Sequence, residues 1–142
     1  MKYLLAALLI MFSASLFADS WRCKAEKSTG FDADWKFKVT NFMVRGQYTI
    51  RPGNRSDFPD WEIVPSYVML PAGSAQPIAW TLDEISPDGF LLLSGAMYHV
   101  RFAVNSMRYT AANWGDWSVN KYPRGGPKAD PGIEIGTCTK ID

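Results

Sequence analysis

The sequence predicts an all-β domain, a small antiparallel β-barrel or sandwich closed by one disulfide. Three observations carry this expectation. Apolar and polar residues alternate with a period of two along several stretches, prolines and glycines punctuate the chain too densely for ordinary helices, and two cysteines stand near its ends.

The chain opens on Met1-Lys2, an apolar run from Tyr3 to Phe12 and a small-residue stretch ending at Ala18, before the polar Asp19-Ser20. That layout predicts a cleavable signal peptide over residues 1–18, cut after Ala18, and one β-domain over residues 19–142. The apolar run is shorter than the roughly 17 to 25 residues of a spanning helix, and no later segment approaches that length, so no membrane span is expected. Cys23 follows Trp21-Arg22 rather than a small-residue lipobox, which argues against a lipid anchor.

Within the domain, Trp35, Phe37 and Val39 alternate with Lys36, Lys38 and Thr40, and Phe42, Val44, Gly46, Tyr48 and Ile50 continue the period. Tyr98, Val100, Phe102 and Val104 repeat it against His99, Arg101, Ala103 and Asn105. Shorter strands are expected over residues 21–26, 63–70, 78–82, 90–93, 107–110, 117–120 and 133–139. Pro52-Gly53-Asn54, Pro71-Ala72-Gly73 and Ser86-Pro87-Asp88-Gly89 combine a preset φ with tolerance of positive φ, and are read as turns. Residues 81–85 leave room for a single helical turn. Eight or so short strands at regular spacing suggest a barrel or a sandwich, and a link between the first and last strands favours the barrel. Residues 51–60 and 121–132 read as long loops.

Cys23 and Cys138 are expected to bond to each other, because export delivers them to a compartment where disulfides persist. Closing a loop of that length constrains the unfolded chain by roughly 4 to 5 kcal/mol in the chain-entropy account. The usual disulfide geometry places the two Cα atoms about 4.4 to 6.8 Å apart. With Lys2 removed, basic and acidic residues balance at 14 each, so nothing in the charge calls for nucleic acid.

Catalytic signals are sparse. His99 is the single histidine and falls on the polar face of a strand, which leaves no multi-histidine metal site and little from which to build a nucleophile-base pair. Neither a metal nor a cofactor is expected. The carboxylates group as Asp32/Asp34, Asp57/Asp60/Glu62 and Asp83/Glu84, on turns and outside any catalytic motif. Aromatic surface is plentiful: of six tryptophans, Trp35 and Trp80 fall inside strand patterns and are expected in the core. Trp114 and Trp117 belong to Asn113-Trp114-Gly115-Asp116-Trp117, which reads as a turn where exposed rings can anchor a partner. This turn and the loop over residues 121–132 flank one short expected strand, so they should project from opposite ends of the domain.

The segments Gly89-Phe90-Leu91-Leu92-Leu93-Ser94-Gly95 and Ile133-Glu134-Ile135-Gly136-Thr137-Cys138 resemble small exported bacterial β-proteins of unassigned function, a resemblance that implies no activity. Ser94-Gly95-Ala96-Met97-Tyr98 also resembles the Ser-Gly-x-x-Tyr motif of the bacterial inhibitors of c-type lysozyme, which are small β-barrels. That resemblance implies that the Ser94 hydroxyl would approach the enzyme's catalytic carboxylates, with Gly95 permitting close approach and Tyr98 supporting the loop. The family's second, lysine-bearing segment has no counterpart after Tyr98. The functional expectation is therefore a non-enzymatic binding or inhibitor protein of the periplasm. A c-type lysozyme inhibitor, a calycin-like carrier of a small ligand and a carboxylate-dependent carbohydrate hydrolase are the alternatives.

Overall fold

A computed structural model of the chain describes residues 19–31, 39–41, 44, 46–114 and 131–141. The expected leader, Trp35, Trp117 and the strand over residues 117–120 lie outside the described residues. The strands are β1 (Ser20–Phe31), β2 (Val39–Asn41), β3 (Gln47–Pro52), β4 (Tyr67–Pro71), β5 (Ala79–Thr81), β6 (Phe90–Ser94), β7 (Tyr98–Ala103), β8 (Arg108–Asn113) and β9 (Gly132–Ile141). From β3 to β9 each strand pairs antiparallel with the next, and β1 closes the circuit by pairing with both β3 and β9. The result is an eight-stranded closed antiparallel barrel. β2 extends one edge, pairing with the far end of β1.

Closure rests on the longest ladder in the molecule, which runs from Ser20↔Ile141 to Gly30↔Gly132. Its register shifts between Ala25 and Lys27, so Glu26 is the extra residue of a β-bulge. The burial of β1 changes phase at that point: Trp21, Cys23 and Ala25 are buried before it and Gly30 after it. Cys23 and Cys138 face each other in this ladder and are disulfide-bonded. Their Cα atoms are 3.9 Å apart, closer than expected. The reason is their placement: the Cys138 amide donates to Met107 on the far side, and Ala25 likewise turns its amide toward Gly46, away from β9. The cysteines thus form a non-hydrogen-bonded cross-strand pair, the closest kind in an antiparallel sheet.

A hydrophobic cluster occupies the barrel interior. Trp21, Ile50, Met69, Leu91, Leu93 and Phe102 are fully buried in one cluster, with Trp21 set edge-on to Phe102 at 5.1 Å between ring centroids. Trp21 Nε1 is buried there with no hydrogen-bond partner among the described residues.

Several expectations need correction. Residues 81–85, which left room for at most one helical turn, form none, while a 3-10 turn that was not expected forms at Arg55–Asp57, capped by the Asn54 side chain. Residues 63–66 are not strand, and Ile63 and Val64 are exposed. Val39 is exposed on the short extension β2. Trp80 lies on the outer wall rather than in the interior. Its strand partner Val68 faces outward with it, and the β3–β4 connection folds over both, bringing Phe58 and Trp61 against Trp80 at 5.2 and 5.3 Å. Arg51 pins this connection through a two-pronged ion pair with Asp57, at 2.6 and 2.9 Å. That cover explains why β4 is buried on both faces: Val68 is as inaccessible as Met69.

Candidate functional site

The β6–β7 hairpin turns within Ser94 to Tyr98, where the Gly95 amide donates to the Tyr98 carbonyl at 2.8 Å. Ser94 and His99 face each other across it, and Ser94 Oγ and His99 Nδ1 share a hydrogen bond at 3.2 Å. At the end of β8, the Trp114 amide donates to the Met97 carbonyl at 3.0 Å, drawing the tryptophan alongside the turn. Its ring meets His99 nearly perpendicular, 6.2 Å between centroids. Ser94, Met97, His99 and Trp114 thereby form one contiguous rim, with Trp114 59% and Met97 39% exposed.

Two expected contacts, separated by some twenty residues of sequence, are thus brought together. Tyr98 is not part of the exposed face: its side chain turns inward, half-buried, with its hydroxyl 3.5 Å from Asn113 Nδ2. Gly95 also has a reason internal to the chain. A Cβ there would collide with the Ile78 carbonyl, so the glycine is needed for the close approach of β5, whatever a partner requires. His99, read from the sequence as a solvated strand residue, is the member that links the turn to Trp114.

Residues 115–130, which carry the strand expected after the tryptophan turn and most of the loop over residues 121–132, lie outside the described residues. Asn113 pairs with Gly132, so the chain departs β8 and re-enters β9 at the same rim.

Below this rim, inside the barrel, sits a polar cluster that the sequence reading missed. Tyr109 donates to Glu134 Oε1 at 2.6 Å, and Tyr48 to Oε2 at 3.4 Å. The two phenol rings lie edge to face, 6.1 Å apart. Burial, then the contact with Glu134, raises the Tyr109 phenol far above its ordinary range, and burial and the Glu134 charge do the same for Tyr48. Tyr98 is raised by burial first and the same carboxylate second. The arrangement holds three neutral phenols around one carboxylate, and both carboxylate oxygens are engaged. The signal that could have found it is strand parity. Cys138 must face inward to meet Cys23, so Gly136 and Glu134 face inward too, while Ile133 and Ile135 face out.

A third feature lies on the outer wall, where an open groove of about 480 Å³ runs between β5 and β6 beside Trp80. Among the described residues, no group of three or more His, Cys, Asp or Glu side chains could hold a metal ion, and no helix is long and apolar enough to cross a membrane. Comparisons of the chain with known protein families, with curated proteins and with solved structures return no match.

Proposed function

We propose that this chain is an exported, non-enzymatic binding protein whose contact face is the rim formed by Ser94, Met97, His99 and Trp114. The observation that carries the reading is the convergence of an exposed serine turn and an exposed tryptophan on one edge of a closed barrel. A rigid aromatic ring anchored by its own backbone contributes binding energy without first having to be ordered. Among the described residues the His99 imidazole meets Ser94 Oγ and the Trp114 ring, and no carboxylate orients it as a general base would require. The cluster of bulky side chains in the barrel interior, Trp21 and Phe102 among them, weighs against a carrier of apolar ligands. Two carboxylates that a hydrolase could use are already engaged, Asp57 by Arg51 and Glu134 by the tyrosines.

The first partner to test is a c-type lysozyme, since Ser94 stands exposed on the turn through which the resemblance would act. In a turbidity assay with hen lysozyme, the purified protein should slow lysis, and Ser94→Ala and Trp114→Ala should each weaken the effect. No inhibition at large molar excess removes lysozyme as the partner. A partner recovered by other means whose affinity is unchanged by both Trp114→Ala and Met97→Ala removes the rim itself.

A further inference from the structure

Among the described residues the barrel wall is least joined between β5 and β6. β5 and β6 are joined by a single pair, Trp80↔Ser94. Continuing that register would set Leu82 opposite Leu92, but the chain turns away after Thr81. Ser66 draws it toward β4: its amide donates to the Thr81 carbonyl and its hydroxyl to the Leu82 carbonyl, each at 2.8 Å. The Asp83 amide closes the bend on Thr81 Oγ1 at 3.1 Å.

Along β6, the amide and carbonyl of each residue point to the same side, and the side alternates. Gly95 bonds to Tyr98, so Leu91 and Leu93 face β7, whereas Phe90, Leu92 and Ser94 face β5. Ser94 is met by Trp80. Phe90 is closed by Ser86, whose amide donates to the Phe90 carbonyl at 2.8 Å and whose hydroxyl accepts from the Phe90 amide at 3.0 Å. Leu92 alone keeps an amide and a carbonyl with no hydrogen-bond partner among the described residues. Both point into the groove, which is walled by the exposed side chains of Leu82 and Leu92, with Trp80 beside them and Asp83 at its edge.

We infer that this groove binds an extended segment of a partner protein, which inserts one residue opposite Leu92 and sets a lysine or arginine against Asp83. A donor and an acceptor that point the same way on one residue are matched by one extended amino-acid residue, whose own N–H and C=O also point one way. A lone secondary amide cannot match them, because its N–H and C=O point in opposite directions. The site is short, since Trp80 and Ser86 block the next ladder positions on either side. Only the inserted residue and its two neighbours fit, which makes this a clasp for a loop and not a template for sheet growth. An apolar side chain on the inserted residue would lie on the same face as Leu82 and Leu92, and the charge of Asp83 favours a basic neighbour. The clasp borders the rim at Ser94, which lines the groove and pairs with Trp80, but Trp114 takes no part in it.

The test uses the disulfide-bonded protein labelled with nitrogen-15 and the blocked peptide acetyl-Ala-Leu-Lys-amide as probe. In the free protein the Leu92 amide should exchange with solvent at least about tenfold faster than those of Leu91 and Leu93. Millimolar peptide should shift the Leu92 amide resonance saturably and slow its exchange. The analogue methylated on its leucine nitrogen, which lacks the donor to the Leu92 carbonyl, should have no such effect. Asp83→Asn should weaken binding severalfold, and Trp114→Ala should leave it unchanged, separating this clasp from the rim. Protection of Leu92 equal to its neighbours in the free protein, no shift at millimolar peptide, or equal binding of the methylated analogue would each overturn the inference.

Discussion

Replacing Glu134 by leucine probes the least expected part of this barrel, an inward-facing carboxylate. Tyr109 is 2% exposed and donates a hydrogen bond from its hydroxyl to Glu134 at 2.6 Å. A hydrogen bond to a charged acceptor is worth about 1.5 to 3 kcal/mol, and a buried hydroxyl left unpaired costs about 1 to 3 kcal/mol. Leucine restores part of this by adding apolar contact in nearly the same volume, so Glu134→Leu should destabilise by roughly 1 to 3 kcal/mol. Glutamine keeps an acceptor for Tyr109 and should lose less. In the Tyr109→Phe background the same leucine substitution leaves only the longer Tyr48 contact unmade, and it relieves the burial of a charge. It should then be close to neutral. Urea unfolding at neutral pH of the parent protein, the two single variants and the double variant gives the coupling directly, expected at about 1 to 3 kcal/mol. A coupling below about 0.5 kcal/mol would refute the reasoning, because it would mean that the short Tyr109–Glu134 bond stabilises the fold no more than water does.

The Tyr109 phenol also predicts an alkaline limit: its folded pKa lies above the unfolded value, so the stability it contributes is complete below about pH 10 and is lost as pH rises beyond it. The slope should be about 1.4 kcal/mol per pH unit from this residue, and Tyr109→Phe should flatten it. At the acid end, the hydrogen bond from Arg51 lowers the Asp57 pKa, so that pair stabilises above the unfolded carboxylate value and fades as pH falls through the folded one. Arg51→Ala should therefore lower the thermal midpoint at pH 7 and have little effect near pH 2. Removing the disulfide by Cys23→Ala with Cys138→Ala should cost up to about 4 to 5 kcal/mol, since it frees a separation of 115 residues in the unfolded chain. A loss under about 1 kcal/mol would show that the β1–β9 ladder closes the barrel unaided. Gly95→Ala should destabilise by about 1 to 3 kcal/mol, because the obstructing atom is backbone and cannot swing aside. An unchanged denaturation midpoint would mean that β5 shifts freely.

The sequence by itself determined the all-β class, most of the strands and the adjacency of the first and last ones. Period-two alternation located β7 almost to the residue, and Pro-Gly punctuation marked the connections after β3, β4 and β5. Two cysteines at the ends implied that the first and last strands are neighbours, and β1 and β9 are. These features are legible because they are local in the chain or, for the disulfide, covalent. Alternation alone does not reveal which face of a strand meets the interior. Trp80 sits in an apolar strand, yet faces outward under the β3–β4 connection, while Glu134 lies between two isoleucines and faces inward. Both follow from register, which is set by partners far away in sequence: the cysteine pair fixes the phase of β9, and the covering loop makes an outer face apolar. The rim was decided at the same level. Ser94 and Trp114 were separately visible as residues on turns, but the Met97 carbonyl and the His99 ring join them only once β7 and β8 pair. The open amide of Leu92 is the clearest case, for every residue has the same backbone groups, and the departure of β5 from the ladder leaves this one without a partner among the described residues.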